Sequence, residues 1–261
     1  MQNPAVARLA RLWFDAGINE GDIVLVHSSI RRTMSMAAQS GNEISPSAIL
    51  ESFLMAVGQA GTLLLPLFNF DFTQGLAFDI RSTPSQMGAL TETARSHPAA
   101  VRTGHPIYSY AVLGARRNDF RGVNNFSGYG QDSPFGIVHR SGGKIAVLDL
   151  PDQNSMTFYH YIEEALNVPY RYHKTFTGTY IGTDGISSVK TYGLFVRDLA
   201  KGVHTHVDPM GELLWLQGLY SGSRPGQGSG LRVVDAKRMF DATAAIIRDG
   251  RALDTLYRIE R

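Results

Sequence analysis

Four short, nearly uninterrupted apolar runs constrain this chain more than any other feature: residues 23–26 in GDIVLVHSSI, residues 62–68 in GTLLLPLF, and the segments IYSYAVLG and GKIAVLDL. Each is too short for a helix and lacks alternation, so each reads as a strand covered on both faces. Amphipathic segments lie between them. PAVARLARLWFDAGI places Val6, Leu9, Leu12 and Trp13 at helical spacing, with Pro4 near its start and Gly17 at its end. In SPSAILESFLMAVGQAG, Ser45 is an N-cap and Pro46 occupies the first turn. Strands separated by helices predict an α/β fold with a mostly parallel central sheet flanked by helices.

Beyond Pro169 the pattern changes. TFTGTYIG and SVKTYGLFVRDL are rich in Thr, Tyr and Val, and the GTDG between them suits a hairpin, so an antiparallel β element is expected as an appendage. SGSRPGQGSG, residues 221–230, reads as a flexible loop, and Asp235 caps a final helix that ends at Gly250. No repeat or linker interrupts the chain, which predicts a single domain over residues 1–261.

Composition removes several classes of chemistry. With no cysteine, disulfides, zinc ribbons, thioredoxin-like exchange and a cysteine acyl-enzyme are all excluded. The net charge of +2 comes without a dense Lys/Arg run, which argues against nucleic acid as a partner. No apolar run approaches the roughly 20 residues of a membrane span, and the start lacks the apolar core and cleavage site of a signal peptide. A cytoplasmic protein is expected.

The polar residues gather in a few places. In MTFYHYIEEAL, Thr157, His160 and Glu163 step by three and Glu164 stands four after His160, so a helix would crowd them on one side. A histidine there can accept a proton, a carboxylate can steady the imidazolium, and a threonine hydroxyl can donate to developing negative charge. An ordinary solvated helix face with one satisfied histidine has the same spacing. HTHVDPMGE offers His204, His206, Asp208 and Glu212, but matches no standard metal spacing, so a polar loop is the better reading and no metal is expected. HSS, with His27, Ser28 and Ser29, lacks the GxSxG elbow of a serine hydrolase. Its hydroxyls and N–H groups at a strand end either bind phosphate or amide groups or form a polar turn. Asp79, on the long FDIRSTPS loop, either binds an amine or belongs to a helix entry, and His105 in HPIYSY stands in a pre-strand turn.

Taken in order, VLVHSSI, GTLLLPLFNF, FDIRSTPSQMGALTETAR, HPIYSYAVLG, DSPFG, GKIAVLDL and TFYHYIEE closely resemble the aminoglycoside 3-N-acetyltransferase family, whose fold is the antibiotic acetyltransferase fold. The resemblance runs from about Gly21 to Arg171, with weaker echoes beyond. It implies acyl transfer from acetyl-CoA or another acyl-CoA to an amine on a small-molecule amino-sugar acceptor, without a metal. The family's TxxHxxE pattern falls on Thr157, His160 and Glu163, implying a general base at His160, its electrostatic partner at Glu163 and a helper near the thioester at Thr157. The HSS block would then lie along the coenzyme A arm, with His27, Ser28, Ser29 and Arg31 as contacts. Asp79, His105 and Tyr159 would approach the acceptor. The resemblance leaves homo-oligomerisation open. FYHY around the histidine places aromatics where many relatives carry a small residue and leucine, which puts the usual acceptor in question.

Aminoglycosides are polycations and favour an acidic cleft, whereas this chain is slightly basic. Arg31 and Arg32 follow HSSI, and Arg81, Arg116, Arg117 and Arg121 would suit coenzyme A phosphates or a second anionic ligand. On that ground the expected acceptor is a nucleotide-linked amino sugar of surface-polysaccharide synthesis, with an aminoglycoside as the alternative. A non-catalytic, ligand-binding descendant of the fold is the alternative of a different class. Phe68, Phe70, Phe72, Phe78, Tyr159 and Tyr161 either line a sugar face or pack the core.

Overall fold

The computed structural model describes residues 3–41 and 43–260. Its helices, in chain order, are α1 (Pro4–Asp15), α2 (Arg31–Gln39), α3 (Pro46–Val57), α4 (Ala89–Arg95), α5 (Pro134–Arg140), α6 (Phe158–Ala165), α7 (Asp208–Leu216) and α8 (Ala236–Arg248). Its strands are β1 (Ile23–Ser28), β2 (Thr62–Pro66), β3 (Phe78–Asp79), β4 (Val101–Arg102), β5 (Tyr110–Gly114), β6 (Lys144–Leu148), β7 (Arg171–Ile181), β8 (Ser187–Arg197), β9 (Val203–Thr205), β10 (Ser221–Gly222), β11 (Leu231–Asp235) and β12 (Tyr257–Ile259).

The four apolar runs become β1, β2, β5 and β6 in a seven-stranded sheet of order β10-β11-β6-β1-β2-β5-β4. The central strands β6, β1 and β2 are mutually parallel. β5 and β11 run against them, and β4 and β10 turn back again, so five of the seven strands point one way. Alternation along the strands feeds two cores. Leu25, Leu64, Val112, Ile145 and Val147 face one side, while Val24, Val26, Leu63, Leu65, Leu113, Ala146 and Leu148 face the other. That double burial is why the runs lack polar alternation.

The second face is covered by α1 and α3. Trp13 stacks on Phe53 at 4.8 Å and donates its indole N–H to Ser52 Oγ at 2.7 Å, and Ser45 caps α3 as expected. Leu12, expected on the same stripe, is instead 39 % exposed, and Ala10 takes its place against the sheet. The first face carries α5, α6 and α8 together with the β7–β8 hairpin. That hairpin pairs over eleven residues per strand, adds β3 at one edge, and forms the appended β element. Residues 221–230, expected as a free loop, begin as β10 and are tied down: Arg224 pairs with Glu212, Arg32 donates to Gly228 O, and Gly226 N donates to Asp149 Oδ1. Among the described residues no helix is long and apolar enough to cross a membrane.

Candidate active site

β1 and β6 run side by side with Ser28 opposite Leu148, so HSS and the chain leaving β6 emerge together at the carboxyl end of the sheet. Open α/β sheets bind ligands at this end. From β6 the chain passes through Asp149 and a short 3-10 turn at Asp152–Asn154 into α6, which carries the TxxHxxE residues. Thr157 is the half-buried N-cap of α6, and its hydroxyl has only a long bond to Ser155 O at 3.4 Å.

His160 and Glu163 meet. The imidazole Nδ1 lies 2.8 Å from Glu163 Oε2, with 18 % of the His160 side chain exposed and Glu163 fully buried. Donation by Nδ1–H fixes the tautomer and leaves Nε2 as an acceptor. Arg171, at the start of β7, places Nε 2.7 Å from the same Glu163 oxygen, an ion pair whose angle is not that of a straight hydrogen bond. Burial pushes the Glu163 carboxyl up, but Arg171 and His160 outweigh it and hold the group below the usual carboxylate range. Burial and the Arg171 charge, opposed by Glu163, hold the His160 imidazole below its ordinary value. The histidine is therefore neutral at pH 7, the form that can take a proton.

Aromatic rings link His160 to HSS. Tyr129 stands edge-on to His160 at 5.3 Å and shares a 2.7 Å hydroxyl contact with Tyr108; Tyr108 packs on Phe68 at 4.3 Å, and Phe68 reaches His27 at 6.1 Å. These buried rings connect the strand end to α6. Glu164, the neighbouring acid, is half-buried and accepts from Ser127 Oγ at 2.7 Å. Burial raises its pKa. The two glutamates are thus separated by environment: Glu163 serves His160 and Glu164 turns to Ser127.

Ser28 and Ser29 are half-buried, immediately before α2. The N-cap of α2, Ile30, provides no side-chain cap, so N–H groups of its first turn remain as anion donors beside the exposed Arg31. This donor set suits a phosphate-bearing ligand such as coenzyme A.

Four other expected residues have settings of their own. His27 is buried, and burial together with Arg232 lowers its pKa to about 3, so it is a neutral packing group against Phe68. His105, placed earlier near the acceptor, is fully buried; its Nδ1 accepts from the N–H groups of Ile107 and Tyr108, and burial lowers its pKa to about 4. It fixes the turn into β5 and is closed off from solvent. Tyr159 is likewise corrected from acceptor contact to core: it is fully buried and donates to Asp152 Oδ2 at 2.8 Å, because its position on α6 faces the sheet. Asp79 spends its charge on Arg81, at 3.0 and 2.7 Å, and this pairing lowers its pKa to about 2, so it is not a free seat for an amine. His204 faces Glu260 at 3.6 Å and Glu212 pairs with Arg224; among the described residues no group of three metal-capable side chains converges.

The buried histidines make acid stability testable. Folded His27 and His105 stay neutral down to about pH 3 and 4, whereas the unfolded residues protonate near 6.5. Below 6.5 the unfolded state binds more protons, so stability is lost as pH falls, by up to about 1.4 kcal/mol per pH unit for each histidine. Urea melts at pH 7.5 and 5 are expected to show this loss; equal midpoints would contradict it.

Arg171, Asp152 and Ser127 escaped sequence reading because each lies outside the helical spacing that marks Thr157, His160 and Glu163. Asp152 is a buried hub: Oδ2 accepts from Tyr159 and Tyr220, each at 2.8 Å, and Oδ1 pairs with Arg232 at 2.6 Å. An acid in PDQN just after an apolar strand was the only signal.

Residues 25–248 match the family described as aminoglycoside 3-N-acetyltransferase. Among curated relatives, aminoglycoside N(3)-acetyltransferase VII of Streptomyces paromomycinus is 27 % identical over 182 residues, covering 62 % of this chain and 61 % of that protein. The chain thus spans about three fifths of that relative's length. Two solved structures share the fold. Aminoglycoside acetyltransferase AAC(3)-Xa superposes with a TM-score of 0.77 at 22 % identity, covering 94 % of this chain and 92 % of the other. AAC-IIIb in a binary complex with CoASH gives a TM-score of 0.79 at 20 % identity, covering 94 % and 96 %.

Proposed function

The chain belongs to the aminoglycoside 3-N-acetyltransferase family, and from that premise we propose that it transfers an acetyl group from acetyl-CoA to an amine of an aminoglycoside-type amino sugar. The observation that carries the proposal is the His160–Glu163–Arg171 relay, which presents a neutral imidazole at the carboxyl end of the sheet. The names of the relatives favour an aminoglycoside over the nucleotide-linked sugar that net charge suggested. Net charge averages over the whole surface, whereas an acceptor meets only the local cleft.

In this mechanism His160 Nε2 takes a proton from the acceptor amine as its nitrogen bonds to the thioester carbonyl carbon. Glu163 stabilises the imidazolium that forms, and Arg171 keeps Glu163 ionised. Coenzyme A supplies the activated acyl group; the C–S bond breaks, and the proton held by His160 goes to the departing sulfur. Thr157 donates its lightly used hydroxyl to the charge that develops on the carbonyl oxygen. Ser28, Ser29, Arg31 and the first turn of α2 hold the coenzyme's polar arm. No covalent enzyme intermediate is required, in keeping with a chain that has no cysteine.

Thiol release from acetyl-CoA, measured against a panel of aminoglycosides and nucleotide-linked amino sugars, tests the reading. Turnover with aminoglycosides is expected. Turnover confined to nucleotide-linked sugars would overturn the acceptor assignment, and no turnover with either would count against the activity.

A further inference from the structure

A cavity of about 710 Å³ lies away from His160, between the β4 edge of the main sheet and the β3-β7-β8 sheet. β4 points the same way as β1, and residues before and after it, Ala100 and Gly104, both line the cavity. Three strand spacings separate β4 from β1, or about 14 Å. One loop links the cavity to α6: Asn124 lines it, and Ser127, three residues on, contacts Glu164.

Its lining has an unusual charge balance. Arg81, Arg102, Arg121 and Lys190 all contribute, against a single carboxylate, Asp184. Arg81 is neutralised by Asp79. Among the described residues, no carboxylate lies within 4.0 Å of the charged nitrogens of Arg102, Arg121 or Lys190. Arg102 donates to the carbonyls of Ile80 and Thr83 and to Ser109 Oγ, which fixes it in place without cancelling its charge. Burial, reinforced by Arg95 and opposed by the more distant Glu92 and Asp79, lowers its pKa to about 10. Lys190 is held with Nζ 4.2 Å over the Tyr180 ring, and Arg121 bonds only the amide oxygen of Asn118 among side chains. Asn124 accepts from Tyr192 through Oδ1, which leaves its NH2 group as a donor, and the Thr183 and Ser188 hydroxyls also line the space.

We propose that this cavity is a binding site for a phosphate-class oxyanion carried by a small molecule. Three cations without a carboxylate in direct contact, together with amide and hydroxyl donors, exceed what a single carboxylate would use, and match an anion of two or more charges. The proposal rests on the cavity alone and stands whichever amine is acetylated.

The test is titration calorimetry of the intact protein with inorganic pyrophosphate, in the presence of saturating coenzyme A so that the α2 end is already filled. The wild type is expected to bind at or below about 1 mM. The double variant Arg121→Ser, Lys190→Gln should bind at least about tenfold more weakly. Both side chains lie outside the relay, so coenzyme A affinity and the unliganded melting temperature should not change, which separates loss of the site from misfolding. Equal affinity in the variant, or no binding by the wild type, overturns the proposal. Acetylation assays with added pyrophosphate then assign the source of the anion. Competition with the acceptor would place the anion in the acceptor's own volume, and unchanged turnover would make the cavity a separate effector site; both outcomes presuppose variant-sensitive binding.

Discussion

Replacing His160 with alanine is expected to lower kcat by about 10²–10⁴-fold, the usual contribution of a positioned general base, while acetyl-CoA affinity stays within a few-fold of wild type. The expectation follows from geometry. His160 is the one relay member with solvent access, and its Nδ1 is committed to Glu163, so proton acceptance falls to Nε2 alone. The pH profile supplies an independent check. Because the imidazole pKa is held below its ordinary value, the rate should fall on the acid side at a lower pH than an unperturbed histidine would give. Wild-type kcat in the alanine variant would remove His160 from the mechanism. Loss of acetyl-CoA binding along with activity would assign it a structural role instead, and full activity with no acceptor at all would fit neither reading.

The second large effect concerns stability. Asp152→Ala is expected to cost about 3–5 kcal/mol, because it leaves the Arg232 guanidinium buried without its counter-charge. Two phenol hydroxyls, of Tyr159 and Tyr220, lose their acceptor in the same step. For a chain of this size the melting temperature should fall by roughly 6–20 °C. Asp152→Asn keeps the acceptor but not the charge and should lie between the alanine variant and wild type. Calorimetric melts of the three proteins decide the matter, and a fall of only a degree or two would show that the buried pair contributes little. Asp152 matters to the site because Met156 N donates to its backbone carbonyl at 2.9 Å, one residue before Thr157. The same hub that holds the β6–α6 connection therefore sets where α6 begins.

Much of this arrangement is legible in local patterns. The apolar runs at β1, β2 and β6 announce doubly covered strands because burial on both faces removes the need for polar alternation. The triplet spacing of Thr157, His160 and Glu163 announces one face of a helix because 3.6 residues close a turn. The antiparallel course of β5 is not legible, since an apolar run carries no sign of its direction. Tyr159 illustrates the same limit on α6: an aromatic beside a catalytic histidine looks like a pocket wall, yet it is fully buried and hydrogen-bonded to Asp152.

The sequence by itself marked the central strands and the helices α1, α3 and α8, and the order of its motifs pointed to the family and, through it, to His160 and Glu163 as a pair. Only the tertiary structure decided that Arg171 completes the relay, that Asp152 and Arg232 pair across 80 residues of chain, and that Arg102, Arg121 and Lys190 converge on one cavity. Charges far apart in the chain act on one another through space, and sequence order records neither their distance nor the burial that gives the interaction its strength.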